Sequence, residues 1–227
     1  MPNVIYSLDS AINSFFSDAG ASSSKVQCDQ FAHRRAEWFF VQSWQIGAPR
    51  ASSLVDKSAI EAECYARFKY LGDTIPERFQ QAVTEAQAAL PMLLDGRFPL
   101  VPTHGDLNEM NILVDPASGD ITGIVDWSDA SIQPFGFTLY ALENVLGSMG
   151  SGGWKWFDNA NGLRNSFWTA FREQTGVSED QVNLIKLAGK AGLLIRYGTA
   201  YNSGFSGMIG VRDPKGEDFR YLDALLI

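Results

Sequence analysis

The sequence has little cysteine and no long apolar run, and each absence excludes a class of protein. Its two cysteines in 227 residues, Cys28 and Cys64, are too few for a disulfide framework and form no CxxC metal site. We therefore expect both to be ordinary intracellular thiols. No run of eighteen or more apolar residues occurs, so the sequence predicts no transmembrane helix.

Basic charge is also scarce, and this narrows the choice of partners. The 18 Lys and Arg residues are outnumbered by 26 Asp and Glu, for a formal net charge of −8. Without a dense Lys/Arg cluster, we expect no nucleic-acid or membrane partner; a small cationic or neutral molecule fits better. No basic residue precedes Lys25, unlike the start of a signal peptide, so we expect a cytoplasmic protein.

The chain has the composition of one folded domain. Hydrophobic residues make up 45% and aromatic residues 12%, enough for a sizeable core. Residues 1–28, which end near the flexible run Gly20–Ser24, are predicted to be an N-terminal appendage. Residues 29–227 are predicted to be the domain itself, beginning with a helix over 29–46.

Two capping boxes predict further helices before residue 95. Ser58 with Glu61 is expected to cap one helix, and Thr74 with Glu77 is expected to cap the next, which runs through Leu94. The first 95 residues are therefore expected to be nearly all helical.

The pattern changes to short β-type runs after residue 98. The runs Ile112–Val114 and Ile121–Val125 are separated by Pro, Ser and Gly, which predicts a β-hairpin. From Phe137 onward helices return, interrupted by a predicted Gly/Ser loop at Gly147–Gly153.

The sequence predicts two further features after residue 150. Ser178 with Gln181 is expected to cap a long helix that continues to about Tyr201. A neighbouring aromatic cluster fits either a substrate lid or a loop folded back onto the core, and the second interpretation is favoured. Its members are Trp154, Trp156 and Phe157.

The densest polar cluster surrounds the predicted hairpin. Asn111 precedes the first strand and Asp126 ends the second, so the hairpin can bring the two side chains together. Convergent oxygen ligands of this kind bind Mg²⁺. Asp106 lies on a loop five residues before Asn111, which leaves its carboxylate free to accept a hydroxyl proton.

The segments HGDLNEMNILV and GIVDW, at residues 104–114 and 123–127, resemble the catalytic loop and metal-binding motif of the aminoglycoside phosphotransferase and choline kinase family. Members of this family phosphorylate small molecules and are relatives of the protein kinases. The resemblance implies a mainly α (α+β) fold, the C-terminal lobe of a kinase with a small catalytic β-hairpin. It also implies ATP and Mg²⁺ as cofactors and a small-molecule substrate.

Carried over position by position, the resemblance implies roles for five residues. Asp106 would orient or deprotonate the substrate hydroxyl, while Asn111 and Asp126 would hold Mg²⁺ against the ATP phosphates. His104 and Asn108 fall on the cofactor-binding side of the loop, where His104 would mainly organise the loop. A loop carboxylate that caps backbone N–H groups is the alternative for both aspartates.

Some parts of the kinase template are missing from the sequence. The residues before His104 contain no GxGxxG motif and no strand-borne lysine, and Gly20–Lys25 imitates a phosphate loop only weakly. We therefore expect the N-terminal nucleotide lobe to be absent, through truncation, completion by another chain, or repurposing.

Repurposing has its own functional consequences. A lobe without nucleotide would act as a small-molecule isomerase or cyclase, with Asp106 as acid or base, or as a non-catalytic binding module. In either case an uncovered apolar face would favour a homodimer or a partner.

Overall fold

The structure, a computed structural model, describes residues 56–96, 98–115, 117, 121–200, 210–211 and 219–226. These ranges contain mostly helices, with strands that pair into small antiparallel sheets. The helices are α1 (Lys57–Thr74), α2 (Gln80–Leu94), α3 (Tyr140–Asn144), α4 (Ala160–Thr175), α5 (Glu179–Gly198) and α6 (Arg220–Leu225). The strands are β1 (Leu100–Thr103), β2 (Ile112–Val114), β3 (Ile121–Ile124), β4 (Ser131–Pro134), β5 (Gly147–Gly150), β6 (Gly153–Trp156), β7 (Thr199–Ala200) and β8 (Gly210–Val211).

The predicted mainly α fold with a small β-hairpin is confirmed in this part of the chain. The pairs are β1 with β4, β2 with β3, β5 with β6 and β7 with β8. The predicted appendage at 1–28 and the predicted helix at 29–46 lie outside the described residues, so the division into domains stays a prediction. None of the described helices is long and apolar enough to cross a bilayer.

The starts of α1 and α2 differ from the predicted capping boxes. Asp56 caps α1, because its carboxylate accepts from the backbone N–H of Ala59 at 3.1 Å. Ser58 lies inside the first turn and donates its hydroxyl to Asp56, so the prediction that it caps the helix was wrong. Thr74 is the last residue of α1 and bonds back to Tyr70; a 3₁₀ turn follows Pro76 and leads into α2. Proline cannot continue the first helix, which explains the break.

The predicted capping box of α5 is confirmed. The hydroxyl of Ser178 accepts from the N–H of Gln181 at 3.2 Å, and the Gln181 side chain accepts from the N–H of Ser178 at 2.9 Å. The helix packs against α2 and against the 3₁₀ turn Phe137–Leu139. At Gly192 an added Cβ would lie 1.8 Å from the Phe137 oxygen, so this glycine permits the close approach.

The core fills the space between α1, α2, α4 and α5. Its largest fully buried side chains are Phe68, Phe79, Phe135, Phe167, Phe171, Phe219, Leu71, Leu90, Leu93, Leu146, Ile185 and Leu194. Burial of this much aromatic and aliphatic surface makes α5 a rigid support for residues at its C-terminal end.

The hairpin β2–β3 forms as predicted, with Ile112 opposite Ile124. The other three strand pairs of the described ranges were not predicted. Strands β1 and β4 pair along their full length, with Leu100 opposite Pro134 and Thr103 opposite Ser131. Strands β5 and β6 form a second hairpin where a Gly/Ser loop was predicted; that prediction was wrong because the glycines allow a tight turn within the hairpin.

The aromatic residues at the end of the β5–β6 hairpin differ in their exposure. The Trp154 ring packs against Tyr221 of α6, with 5.8 Å between ring centroids. Trp156 and Phe157 are 38% and 51% exposed, and the Arg164 guanidinium lies over the Trp156 ring. The fold-back favoured from the sequence therefore describes Trp154 but not the other two side chains.

Candidate active site

The loop that follows β1 is organised by a buried histidine. His104 is 1% exposed, and its Nε2 lies 2.8 Å from the backbone oxygen of Val125. Its Nδ1 accepts from the backbone N–H of Asp106 at 3.3 Å, so the bonds together assign the proton to Nε2. The ring also packs against Trp127 at 4.7 Å. Both ring nitrogens are thus engaged with backbone, and the side chain shapes the loop.

Gly105 brings this loop into close contact with the 3₁₀ turn Trp127–Asp129. Its φ is +79°, in the left-handed region that favours glycine. A Cβ at this position would lie 2.5 Å from the backbone oxygen of Asp129. Only glycine fits between His104 and Asp106 without a clash against Asp129.

Two asparagine side chains hold the rest of the loop. Nδ2 of Asn108 donates to the backbone oxygen of Asp106 at 3.1 Å and to its Oδ1 at 3.0 Å. Oδ1 of Asn108 accepts from the N–H of Met110 and caps the short 3₁₀ turn that follows. Nδ2 of Asn111 donates to the same Asp106 backbone oxygen at 2.8 Å. The Asn108 amide is thus fully used within the loop.

The β2–β3 hairpin brings Asn111 and Asp126 to the same end of the sheet. The backbone N–H of Val125, the residue before Asp126, donates to the backbone oxygen of Asn111 at 3.0 Å. Asp126 is exposed and has φ 62° and ψ 59°, a left-handed conformation that Asp tolerates better than most residues. Its Oδ1 accepts from the hydroxyl of Ser128 at 2.9 Å.

The chemistry of these two side chains suits magnesium. The bond from Nδ2 of Asn111 leaves its Oδ1 as the ligand atom, and no donor from the described ranges reaches that oxygen. Asp126 adds a carboxylate. Within those ranges no three His, Cys, Asp or Glu side chains cluster as a metal-binding group. Mg²⁺ fits this arrangement because it is commonly bound by one or two protein oxygens together with substrate phosphates and water.

A residue that the sequence interpretation missed lies against Asp106. Nη2 of Arg196, in the last turn of α5, forms an ion pair with Oδ1 of Asp106. The two side chains are only 20% and 27% exposed. The sequence did carry a signal, because Arg196 interrupts an otherwise apolar run, Leu193–Tyr197, on a helix that faces the core.

Burial and neighbouring charges shift the pKa values of Asp129 and Arg196. Burial raises the pKa of Asp129, and the carboxylates of Asp106 and Asp126 raise it further, against the Ser128 hydrogen bond and Arg196. Burial lowers the pKa of Arg196, but Asp106, Tyr140 and Tyr197 outweigh it and raise the pKa overall.

Tyr140 connects the loop to the helical core. Burial raises the pKa of its hydroxyl well above the ordinary value, so it stays neutral. The hydroxyl oxygen accepts from the backbone N–H of Leu107 at 2.9 Å. Tyr140 is buried in the core and also fixes the residue after Asp106.

A cavity of about 300 Å³ lies beside the loop that follows β1. One wall is formed by the loop and the turn that follows Asp126, through Gly105 and Asp129, and the opposite wall by α5, through Arg196. Polar side chains of α1 and β4, among them Glu63 and Gln133, also line it. The partly buried carboxylate of Asp129 thus belongs to the cavity wall.

Comparison with known proteins identifies the family. The sequence model of the phosphotransferase enzyme family (APH) matches residues 25–147, more than half of the chain. A solved macrolide 2'-phosphotransferase type I is similar with a TM-score of 0.47 and 14% identity, over 80% of this chain and 57% of that chain. This chain thus spans little more than half the length of that protein. No curated protein sequence matches. The chain belongs to the phosphotransferase enzyme family.

Proposed function

We propose that this protein is a small-molecule kinase that transfers the γ-phosphoryl group of ATP to an acceptor hydroxyl. The proposal is carried by the bond from Asn111 to the backbone of Asp106 and by the hairpin that brings Asn111 and Asp126 to the same end of the sheet. A cavity lies next to them, lined by Gly105 and by Arg196, the ion-pair partner of Asp106. Such transfer needs little covalent chemistry from a protein, because positioning and charge stabilisation provide most of the rate.

In the proposed reaction the acceptor occupies the cavity next to Asp106. Its oxygen forms a bond to the γ-phosphorus as the bond from that phosphorus to the β-phosphate oxygen breaks, and ADP leaves. Asp106 takes the proton of the acceptor hydroxyl. Oδ1 of this carboxylate is already occupied by Asn108 and Arg196, so Oδ2 is the oxygen available for the proton.

Asn111 and Asp126 have the second role in the proposal. They would hold Mg²⁺, which when bound neutralises charge on the phosphates. The bond from Nδ2 of Asn111 to the Asp106 backbone joins the metal-binding end of the hairpin to the proton acceptor. Because this bond joins the two residues, a displacement of Asn111 would also move Asp106.

The first test is thermal unfolding of the full chain with Mg·ATP, with Mg²⁺ alone, and with ATP plus EDTA. A ligand at ten times its Kd stabilises the native state by about 1.4 kcal/mol, which raises the melting temperature measurably. We expect a rise with Mg·ATP that EDTA abolishes and that Asp126→Asn loses.

Asp180→Asn is the matched control for this test. Asp180 is an exposed carboxylate in the first turn of α5, about 24 Å along the helix from Arg196 at 1.5 Å per residue. This variant should keep the full ligand-induced rise. A wild-type chain with no metal-dependent rise and no ADP release from Mg·ATP would refute the proposed kinase activity.

A further inference from the structure

Two donors from different parts of the chain converge on one oxygen of Asp106. Nδ2 of Asn108 reaches Oδ1 at 3.0 Å, and Nη2 of Arg196 forms an ion pair with the same atom. No described residue donates to Oδ2. The carboxylate is therefore fixed about one oxygen, and its orientation depends on a helix ninety residues away in sequence.

Arg196 is held more firmly than a surface arginine. It lies on α5, its guanidinium carbon is 5.3 Å from the ring centroid of Tyr197, and the Tyr140 hydroxyl lies close enough to affect its pKa. Its Nε is buried without a partner among the described residues. An unsatisfied buried donor costs stability, so maximal stability does not explain this arrangement.

A second ion pair on the same helix shows what a purely structural contact looks like. Nζ of Lys190 meets the carboxylate of Glu85 on α2 at 2.6 Å, with both side chains more than a third exposed. That pair joins two helices at the surface, where such contacts contribute little. The Arg196 pair instead ends on the residue proposed to accept the proton.

We propose that Arg196 is a positioning residue for phosphoryl transfer, which ties Oδ1 of Asp106 in place so that Oδ2 accepts the proton of the acceptor hydroxyl. This inference rests on the proposed kinase function. Arg196 itself neither gains nor loses a proton in the step: the acceptor oxygen bonds to phosphorus, its proton moves to Oδ2, and ADP leaves.

The kinetic test measures ADP release from Mg·ATP by the full chain, with water and with a panel of small hydroxylated amines and sugars as acceptors. Arg196→Met should lower kcat on the order of ten- to a hundredfold and leave the KM for Mg·ATP within about twofold, because it disturbs positioning and not nucleotide binding. Arg196→Lys should recover part of the loss, since it keeps the charge without the planar fork. Lys190→Met, the control on the same helix, should match the wild type.

A stability test decides whether the pair exists in solution without relying on activity. Arg196→Met, Asp106→Asn and the double variant are compared by urea unfolding, beside the same cycle for Lys190→Met and Glu85→Gln. We expect the Arg196 double variant to unfold at a midpoint no lower than its less stable single variant, because the pair is already broken in either one. The surface cycle should be close to additive.

The outcomes separate the two claims. Additive effects in the Arg196 cycle, an unchanged kcat in Arg196→Met, or a raised KM with an unchanged kcat would each overturn the positioning role while leaving the kinase function standing. A wild-type chain that shows the coupling but releases no ADP would overturn the kinase function, and the pair would then be structural only.

Discussion

Nε2 of His104 donates to the backbone oxygen of Val125 across 2.8 Å. This bond joins the loop between β1 and β2 to the residue that precedes Asp126. The proposed proton acceptor and the proposed metal ligand are thus joined through one buried ring. Within the described part of the chain, His104 is the only side chain of this loop that bonds both to the loop backbone, at Asp106, and to the segment before Asp126, at Val125.

We predict that His104→Ala destabilises the fold by about 2–4 kcal/mol, because the change removes the donor to the Val125 carbonyl and leaves a cavity where a buried ring packed against Trp127. Urea unfolding followed by tryptophan fluorescence measures the loss. His104→Gln, which retains a donor, should lose less. Equal losses in the two variants would show that the bond to Val125 contributes nothing.

A second prediction concerns Gly105. Gly105→Ala should cost about 3 kcal/mol or more, because it combines a left-handed backbone with a clash against the Asp129 oxygen. Gly176, at the C-terminus of α4, is the matched control: its φ is +69°, but nothing lies within 4 Å of an added Cβ. Gly176→Ala should therefore cost only about 1–2 kcal/mol. A similar loss in both variants would mean that the clash is relieved by movement of the turn.

The parts of the site that the sequence predicted are local ones. Asn111 and Asp126 lie at the same end of the sheet because a hairpin of short β-type runs joins them, and turn residues between two such runs predict a hairpin. The capping box at Ser178 was likewise readable, since it needs only residues three positions apart.

Contacts between distant segments could not be predicted in the same way. Strands β1 and β4 are not consecutive in the chain, so no local turn predicts their pairing. The Arg196 contact to Asp106 depends on how α5 packs, and no spacing rule connects positions 106 and 196. The capping of α1 by Asp56 was missed because Asp56 and Ser58, two residues apart, can both cap a helix start and the sequence does not rank them.

The approach of α5 to the turn before α3 provides a third prediction. An alanine at Gly192 would place its Cβ 1.8 Å from the Phe137 oxygen, so the two elements must separate. We expect Gly192→Ala to cost about 3 kcal/mol or more. Because Arg196 lies one turn further along α5, the same variant should also weaken its coupling to Asp106.

Gly189→Ala is the control for this prediction. Its Cβ would meet the Cβ of Leu139 at 3.4 Å and the backbone oxygen of Gly136 at 3.7 Å, both ordinary contact distances. In a helix interior the replacement should stabilise by about 0.5–1 kcal/mol. Calorimetry of the two variants should therefore give changes of opposite sign. A stable Gly192→Ala would contradict the close approach of the helix to Phe137.

The pKa of Asp129 leads to a fourth prediction, on stability as a function of pH. Burial, with Asp106 and Asp126 nearby, raises the native pKa of Asp129 above the ordinary value of 3.8. Its ionised form is therefore less favourable in the native than in the unfolded state. Asp129→Asn removes that penalty and should raise the urea midpoint at pH 7. The gain should shrink as the pH falls through the raised native pKa and vanish below about 3.8.

Asp56→Asn should show the opposite sign in the same experiment. The backbone N–H of Ala59 and the Ser58 hydroxyl lower the pKa of Asp56, so its ionised form stabilises the native state above pH 3.8 and loses that effect as the pH falls. The variant should therefore have a lower midpoint at pH 7, with the difference closing in acid. If Asp129→Asn also lowered the midpoint at pH 7, the Asp129 carboxylate would be stabilising the fold through a cationic partner. The raised pKa of Asp129, attributed to burial and to the charges of Asp106 and Asp126, would then be wrong.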